Sequence, residues 1–380
     1  MQLGANGAPF ARMKKLPLIA LVPALLCAPS SFGQSVTLPQ LSPKAVVSQT
    51  VGITDVTVTY HRPSVQKREV WGKLVPFGFI DQGFGTSKSA PWRAGANETT
   101  QVSFQHDVTV AGSPLKAGTY GLFMALAPDG AVTVIFSRDA TTWGSFYYEE
   151  GNDALRVQVK WEDAPFHELL TYDFTDVTKD SAVLALSWEK KRIPIPIKVD
   201  TDHVVLASLK GEMRNAAGFQ YQGWLAASGY VLQNNLDLPL ALTWAEFAVS
   251  GPFIGERNFN TLSNKADVLE KMGRAADASA AMDEAMKYGS AGDIHQYGRK
   301  QLASHNSARA MEAFRLNAQL HPDVWPVNYG LARGYSAVGD YKSALDALLK
   351  AQAQVPEGDT VNAEAIKANI EKLRKGQDIN

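Results

Sequence analysis

The spacing of apolar residues changes period once along this chain, near residue 200, and that change divides it into two kinds of structure. Before it, apolar and polar side chains alternate in short runs between turn residues, the period of a half-buried strand. After it, apolar positions recur at three and four, the period of a helix. A segment patterned for one period cannot bury its apolar face in the other. Residues 42–200 are therefore expected to form an all-β domain and residues 201–380 an α-helical one.

In the first part Val56-Thr57-Val58-Thr59-Tyr60 is a β-branched run, while Gln101-Val102-Ser103-Phe104 and Asp107-Val108-Thr109-Val110 alternate. Asp129-Gly130 leads into Val132-Thr133-Val134-Ile135-Phe136-Ser137, a hairpin signal. Further strands are expected at 155–160, 169–174, 182–188 and 193–199, and residues 112–118 read as punctuation. Pro194 and Pro196 suit an edge or final strand, where a missing ladder donor is tolerated. Many short strands without helical stretches between them predict an antiparallel β-sandwich or barrel.

The second part repeats. Ala344, Leu348, Ala351 and Pro356 follow Ala310, Phe314, Asn317 and Pro322 by 34 residues. Leu331, Ala332, Tyr335, Gly339, Tyr341 and Ala344 fall where a tetratricopeptide helix pair places its small and large packing residues. Leu262, Ala266, Leu269, Gly273, Ala278, Met282 and Ala285 mark an earlier unit, and Ala241, Ala245 and Ala248 belong to a poorer one. Small residues let paired helices approach, but one pair cannot bury its own apolar face, so neighbours must stack into a short tetratricopeptide-like solenoid. An irregular helical bundle is the alternative.

Residues 1–33 read as a signal peptide. Met13-Lys14-Lys15 is a positive start, residues 16–28 are apolar, and Pro29-Ser30-Ser31-Phe32-Gly33-Gln34 offers small residues for cleavage after Gly33. The apolar run is shorter than the roughly 20 residues that a spanning helix needs, and Pro23 interrupts it. Met13 is the expected true start. The expectation is an exported protein, periplasmic or extracellular, with no transmembrane segment in the mature chain. Cys27, the only cysteine, leaves with the peptide, and Leu26 before it is too large for a lipid-anchor motif. Neither disulfides nor thiolate chemistry then remain. Loss of Arg12, Lys14 and Lys15 takes the net charge from -1 to about -4, which argues against a nucleic-acid partner.

Chemistry that announces itself by spacing is absent. The histidines are scattered, with no H-E-x-x-H or C-x-x-C, so no metal is expected. There is no G-x-S-x-G elbow, no G-x-x-x-x-G-K cradle and no strand-linked G-x-G-x-x-G, so no cofactor is expected either. Paired carboxylates such as Glu149-Glu150 and Glu162-Asp163 sit in apparent loops.

Several motifs in the first part belong together. They are Ser42-Pro43-Lys44-Ala45, Gln49-Thr50-Val51-Gly52, Arg62-Pro63-Ser64-Val65, Arg68, Trp71-Gly72-Lys73-Leu74-Val75-Pro76-Phe77-Gly78 and Trp92-Arg93-Ala94-Gly95-Ala96-Asn97-Glu98-Thr99-Thr100. Leu115-Lys116-Ala117-Gly118-Thr119-Tyr120-Gly121-Leu122-Phe123, Trp143-Gly144 and Asp153-Ala154-Leu155-Arg156-Val157 continue the set. On these motifs residues 42–199 resemble the bacterial family known as domain of unknown function 2911. The resemblance implies an exported β-rich protein, often with a helical repeat tail, and no assigned activity. The sequence departs from that pattern at His61, where a serine is expected, and at residues 81–91, which look like an insertion.

The Trp92–Glu98 block is the leading candidate for a site. Arginine can grip a carboxylate or phosphate with two prongs and tryptophan can stack on a sugar. Arg62, Trp71, Trp92, Arg93, Asn97, Glu98, Trp143 and Arg156 are accordingly the candidate ligand-binding residues. The same block also reads as a tight turn in which Arg93 pairs with Glu98 and Asn97 caps backbone groups, and the aromatics also read as core filling. The composite expectation is an exported, non-catalytic binding or interaction protein. Its β domain would take a glycan or small ligand and its helical repeats a protein partner. The rival is a periplasmic hydrolase of polysaccharide or peptide with Arg62, Arg93, Asn97 and Glu98 at its site.

Overall fold

The computed structural model describes residues 38–380, so the expected signal peptide and Cys27 lie outside the described residues. The strands come first: β1 (Lys44–Val51), β2 (Thr54–His61), β3 (Gln101–Phe104), β4 (Val108–Val110), β5 (Ser113–Leu115), β6 (Gly118–Leu126), β7 (Ala131–Ser137), β8 (Asp153–Lys160), β9 (Glu162–Thr175) and β10 (Ser181–Val199). They form a six-stranded sheet of order β1-β2-β3-β6-β7-β8 and a four-stranded sheet of order β5-β4-β10-β9. The pairings are antiparallel. The two sheets share one core, in which Val58, Val102, Leu122, Met124 and Val134 from the first meet Leu170, Leu184, Leu186, Ile193 and Ile195 from the second. This is a sandwich; the sheets do not close into a barrel.

Turn chemistry explains the registers. Asp129-Gly130 joins β6 to β7, with Gly130 at φ +91 and Asp129 Oδ1 accepting from the Ala131 amide at 3.1 Å. Ala111 and Gly112, both at positive φ, close a two-residue hairpin between β4 and β5, the geometry that suits strand twist. Part of the segment read as punctuation is thus a short edge strand, on which Pro114 loses no needed donor. The strands expected at 182–188 and 193–199 are one continuous strand. It stays unbroken because bulges around Glu189, itself at φ +55, absorb the polar stretch Glu189-Lys190-Lys191-Arg192. Pro194 and Pro196 fall between its pairing with β9, which ends at Arg192, and its pairing with β4, which begins at Ile197.

Only Asp200 separates β10 from the first helix. The helices are α1 (Thr201–Glu212), α2 (Tyr221–Gln233), α3 (Leu238–Ser250), α4 (Phe259–Lys271), α5 (Ala275–Met286), α6 (Ala291–Ala303), α7 (Ser307–Leu320), α8 (Trp325–Ala337), α9 (Tyr341–Gln354) and α10 (Thr360–Arg374). Asp200 caps α1 by accepting from the His203 amide, and Thr201 is buried against Gly52 in the β1–β2 turn, where a Cβ would collide with its side chain. Lys179 lies 2.6 Å from Asp202, which also accepts from the Tyr230 hydroxyl at 2.9 Å. The β9–β10 turn is thereby tied to α1 and α2.

From α2 onward the helices pair as hairpins, α2 with α3, α4 with α5, α6 with α7 and α8 with α9, and α10 covers the last pair. The 34-residue repeat superimposes α7 on α9, and Ala310, Phe314, Asn317, Ala344, Leu348 and Ala351 are all fully buried. Phe314 shows the packing logic. Its ring fills space left by Gly298 of α6 and by Gly330 and Gly334 of α8, where a Cβ would meet it at 3.0 Å or less. Asn258 and Ser290 open α4 and α6 with capping boxes.

Candidate functional site

Two long excursions leave the six-stranded sheet, residues 62–100 between β2 and β3 and residues 138–152 between β7 and β8. The first returns through the Trp92–Glu98 block. Trp92 bridges to Met124 of β6 through two backbone hydrogen bonds of 2.8 and 2.9 Å. Its indole stacks on Trp188 at 6.1 Å and 18° and meets Trp71 edge to face. These tryptophans pack against the core.

The turn that follows is closed from several sides. Ala94 and Asn97 both have positive φ, and the Ala94 carbonyl accepts from Tyr172 Oη at 2.9 Å and Thr100 Oγ1 at 3.1 Å. Gly95 has no room for a Cβ beside Thr100 Oγ1. Burial drives the Tyr172 pKa well above that of a free phenol, so the hydroxyl keeps the proton it donates. The Asn97 amide donates to the Ser42 carbonyl at 3.3 Å. Glu98 stands 3.2 Å from Nδ1 of buried His61. Arg93 does not pair with Glu98.

The Arg93 guanidinium turns toward the second excursion. Nη1 donates to the Asn97 carbonyl at 2.7 Å, the carbon lies 5.0 Å from the Phe146 ring centre, and Gly144 packs directly against it. Among the described residues no carboxylate pairs with Arg93. Partial burial lowers its pKa, because desolvation disfavours the charged form.

Arg93 lines a cleft of about 410 Å³ between the two excursions. Leu74, Pro76, Ile80, Pro91 and Trp92 give it apolar walls, and Asp81, Gln82 and Ser145 add polar groups. Residues 81–91, read as an insertion, are part of its wall. Gln82 Nε2 donates to Ser145 Oγ at 2.6 Å, the Ser87 amide donates to the Phe146 carbonyl at 3.0 Å, and Gly85 packs against that carbonyl. Asp81 accepts from the Gly83 amide at 2.8 Å and lies 3.3 Å from Lys88.

The remaining candidates sit elsewhere. Arg62 donates to the Leu170 carbonyl at 2.9 Å and to Thr171 at 2.7 Å, pinning β2 to β9. Arg156 is bound by Asp153, Glu150 and the Tyr148 hydroxyl and lies over Phe79. Trp71 joins the tryptophan cluster. Trp143 is 55% exposed. The structure therefore brings Arg93 and Trp92 together in the cleft, with Trp143 next to Gly144 in sequence, and engages the side chains of Asn97, Glu98, Arg62 and Arg156 elsewhere.

Sequence reasoning missed Gln82, Ser145 and Phe84. Phe84 is 61% exposed and touches Phe146 and Tyr147 edge to face, and Phe79, Ile80 and Tyr147 are exposed on the same two excursions. The signal was available in Gly83-Phe84-Gly85: an aromatic between two glycines in a polar loop has no local partner to bury it.

On the helical part a groove of about 590 Å³ runs along α2, α4 and α6, with Leu232, Asn264, Lys271 and Lys300 among its lining. Among the described residues no cluster of three metal-binding side chains occurs, and no helix is long and apolar enough to cross a membrane.

The described chain is an antiparallel sandwich with a loop-built cleft, continued without a linker by stacked helical hairpins. Residues 42–197, the sandwich itself, match the family described as protein of unknown function (DUF2911). No curated protein matches the chain. The helical part is similar to tetratricopeptide repeat structures. One is the C-terminal part of such a protein from Cytophaga hutchinsonii, at 13% identity and TM-score 0.34, covering 46% of this chain and 67% of that one. Another is a thermophilic repeat protein from Thermus thermophilus, at 14% identity and TM-score 0.29, covering 46% and 91%. A third is YrrB, described as having an unusual peptide-binding site, at 14% identity and TM-score 0.28, covering 45% and 87%. The repeat character of the helices rests on their own spacing and pairing.

Proposed function

We propose that this chain is an exported, non-catalytic scaffold that holds a polypeptide partner on the cleft side of its β domain and offers the helical groove as a second surface. The observation that carries this reading is the exposure of Phe84 at 61%, Trp143 at 55% and Tyr147 at 42% on two loops anchored to each other. The same domain buries Trp188, Phe123 and Phe136 almost completely, and among the described residues Phe166 on β9 is its one other aromatic exposed by more than half. Covering such surface is favourable by about 25 cal/mol per Å², and clustered apolar exposure marks an interaction site. Export is supported by the basic, apolar and small-residue order of residues 13–34. A glycan would find one exposed tryptophan here, whereas a polypeptide can use the whole rim. The hydrolase alternative needs Asn97 and Glu98 beside Arg93 in the cleft, and both are engaged outside it.

The test compares native full-length chain with the double variant Phe84→Ser, Trp143→Ser as bait in the envelope fraction of the producing cell. A protein held by the native chain and lost from the variant is the expected result. Equal recovery by both baits overturns the reading. Export is checked by fractionation, which should find a form shortened by the leader outside the cytoplasm.

A further inference from the structure

We infer that the cleft at Arg93 recognises a single carboxylate carried on an apolar body, the acidic anchor residue of a partner polypeptide. This rests on the scaffold reading and adds the chemistry of the contact.

The charge count points to a monoanion. Asp81 has Lys88 at 3.3 Å as its counter-charge, and the cleft wall holds one arginine and no lysine. Arg93 uses Nη1 on a backbone carbonyl, and no carboxylate among the described residues takes the rest of its fork. A half-buried guanidinium with open donors suits a planar two-oxygen acceptor, and a carboxylate matches it in shape and in charge. A phosphate dianion would lack a second cation or a helix N-terminus to balance it.

The walls and polar fixtures then choose the body. Leu74, Pro76, Ile80 and Trp92 favour apolar groups, and about 410 Å³ is at the small end of ligand clefts. Ser145 is buried and accepts from Gln82, so its own hydroxyl proton is left to donate, and the Gln82 carbonyl oxygen is left to accept. One donor and one acceptor side by side suit a peptide group. Around them the exposed rings of Phe84 and Tyr147 extend the apolar surface beyond the reach of a small acid.

The probe is a fluorescent apolar pentapeptide with one central glutamate, compared with the same peptide carrying glutamine and with free hexanoate, on the full chain. Native protein is expected to bind the glutamate peptide about tenfold more tightly than the glutamine peptide. Arg93→Gln should abolish the preference and Arg93→Lys should retain part of it. Equal binding of the two peptides by native protein overturns the inference without need of a folded variant. If equal binding is lost in the Phe84→Ser, Trp143→Ser chain, the scaffold reading stands and only the carboxylate falls. If hexanoate binds as tightly as the glutamate peptide and that double variant binds both as native does, the anchor belongs to a small acid and the polypeptide claim falls.

Discussion

Gly144 packs against the Arg93 guanidinium so closely that a methyl group on Gly144 would overlap its central carbon. Gly144 also sits at φ +59, where an alanine is strained. Gly144→Ala should cost about 1 kcal/mol from the backbone and swing the guanidinium out of place. Urea denaturation reads the first effect. Loss of discrimination between the glutamate and glutamine peptides, with the fold retained by circular dichroism, reads the second.

Phe314 occupies a hole made by three glycines on two helices, and no small movement can refill it. Phe314→Ala should destabilise the chain by about 3–5 kcal/mol. The change is measured as a lowered urea midpoint, and a shift below about 1 kcal/mol would mean that α6 and α8 close up freely.

His295 gives a pH prediction. Burial, and then the charges of Arg299 and Arg333, push its pKa from 6.5 down to about 4. The unfolded chain gains a proton near pH 6.5 that the folded chain refuses until about pH 4, so folding stability falls as pH drops through that window. The loss is on the order of 2 kcal/mol. His295→Gln should lose less stability than the native chain between those limits, and identical pH profiles would sink the assignment.

Tyr172 tethers β9 to the turn at Ala94. Tyr172→Phe leaves that carbonyl to Thr100 alone and should cost about 1 kcal/mol. Hydrogen exchange at the amides of residues 92–98 should speed up while exchange in the helices stays unchanged.

Periodicity carried the architecture, because strand and helix place apolar residues by local rule. It failed where long-range partners decide. Arg62 is held by Leu170 and Thr171 of β9, more than a hundred residues away, and no local pattern foretells that pairing. Trp71 and Trp92 read equally as sugar platforms and as core filling, and only the distant Trp188, onto which both pack, decides how they are used. Arg93 was legible as a candidate, but its contact with the Asn97 carbonyl rather than with Glu98 goes with positive φ at Ala94 and Asn97, which non-glycine residues adopt only when tertiary contacts enforce it. Residues 141–149 were visible only through Trp143-Gly144 and the aromatic run, with Ser145 passed over, since a loop's use is set by the loop it meets.

β10 passes into α1 across the single residue Asp200, and the junction is clasped by Thr201 at Gly52 and by Asp202 at Lys179. The sandwich and the first hairpins therefore share a fixed frame rather than a tether. A binding event on one half needs no chain closure to present the other half, and the second contact of a bivalent partner is governed by a set distance instead of a search volume. Lengthening the junction with a flexible insert would lower that effective concentration while leaving each surface intact.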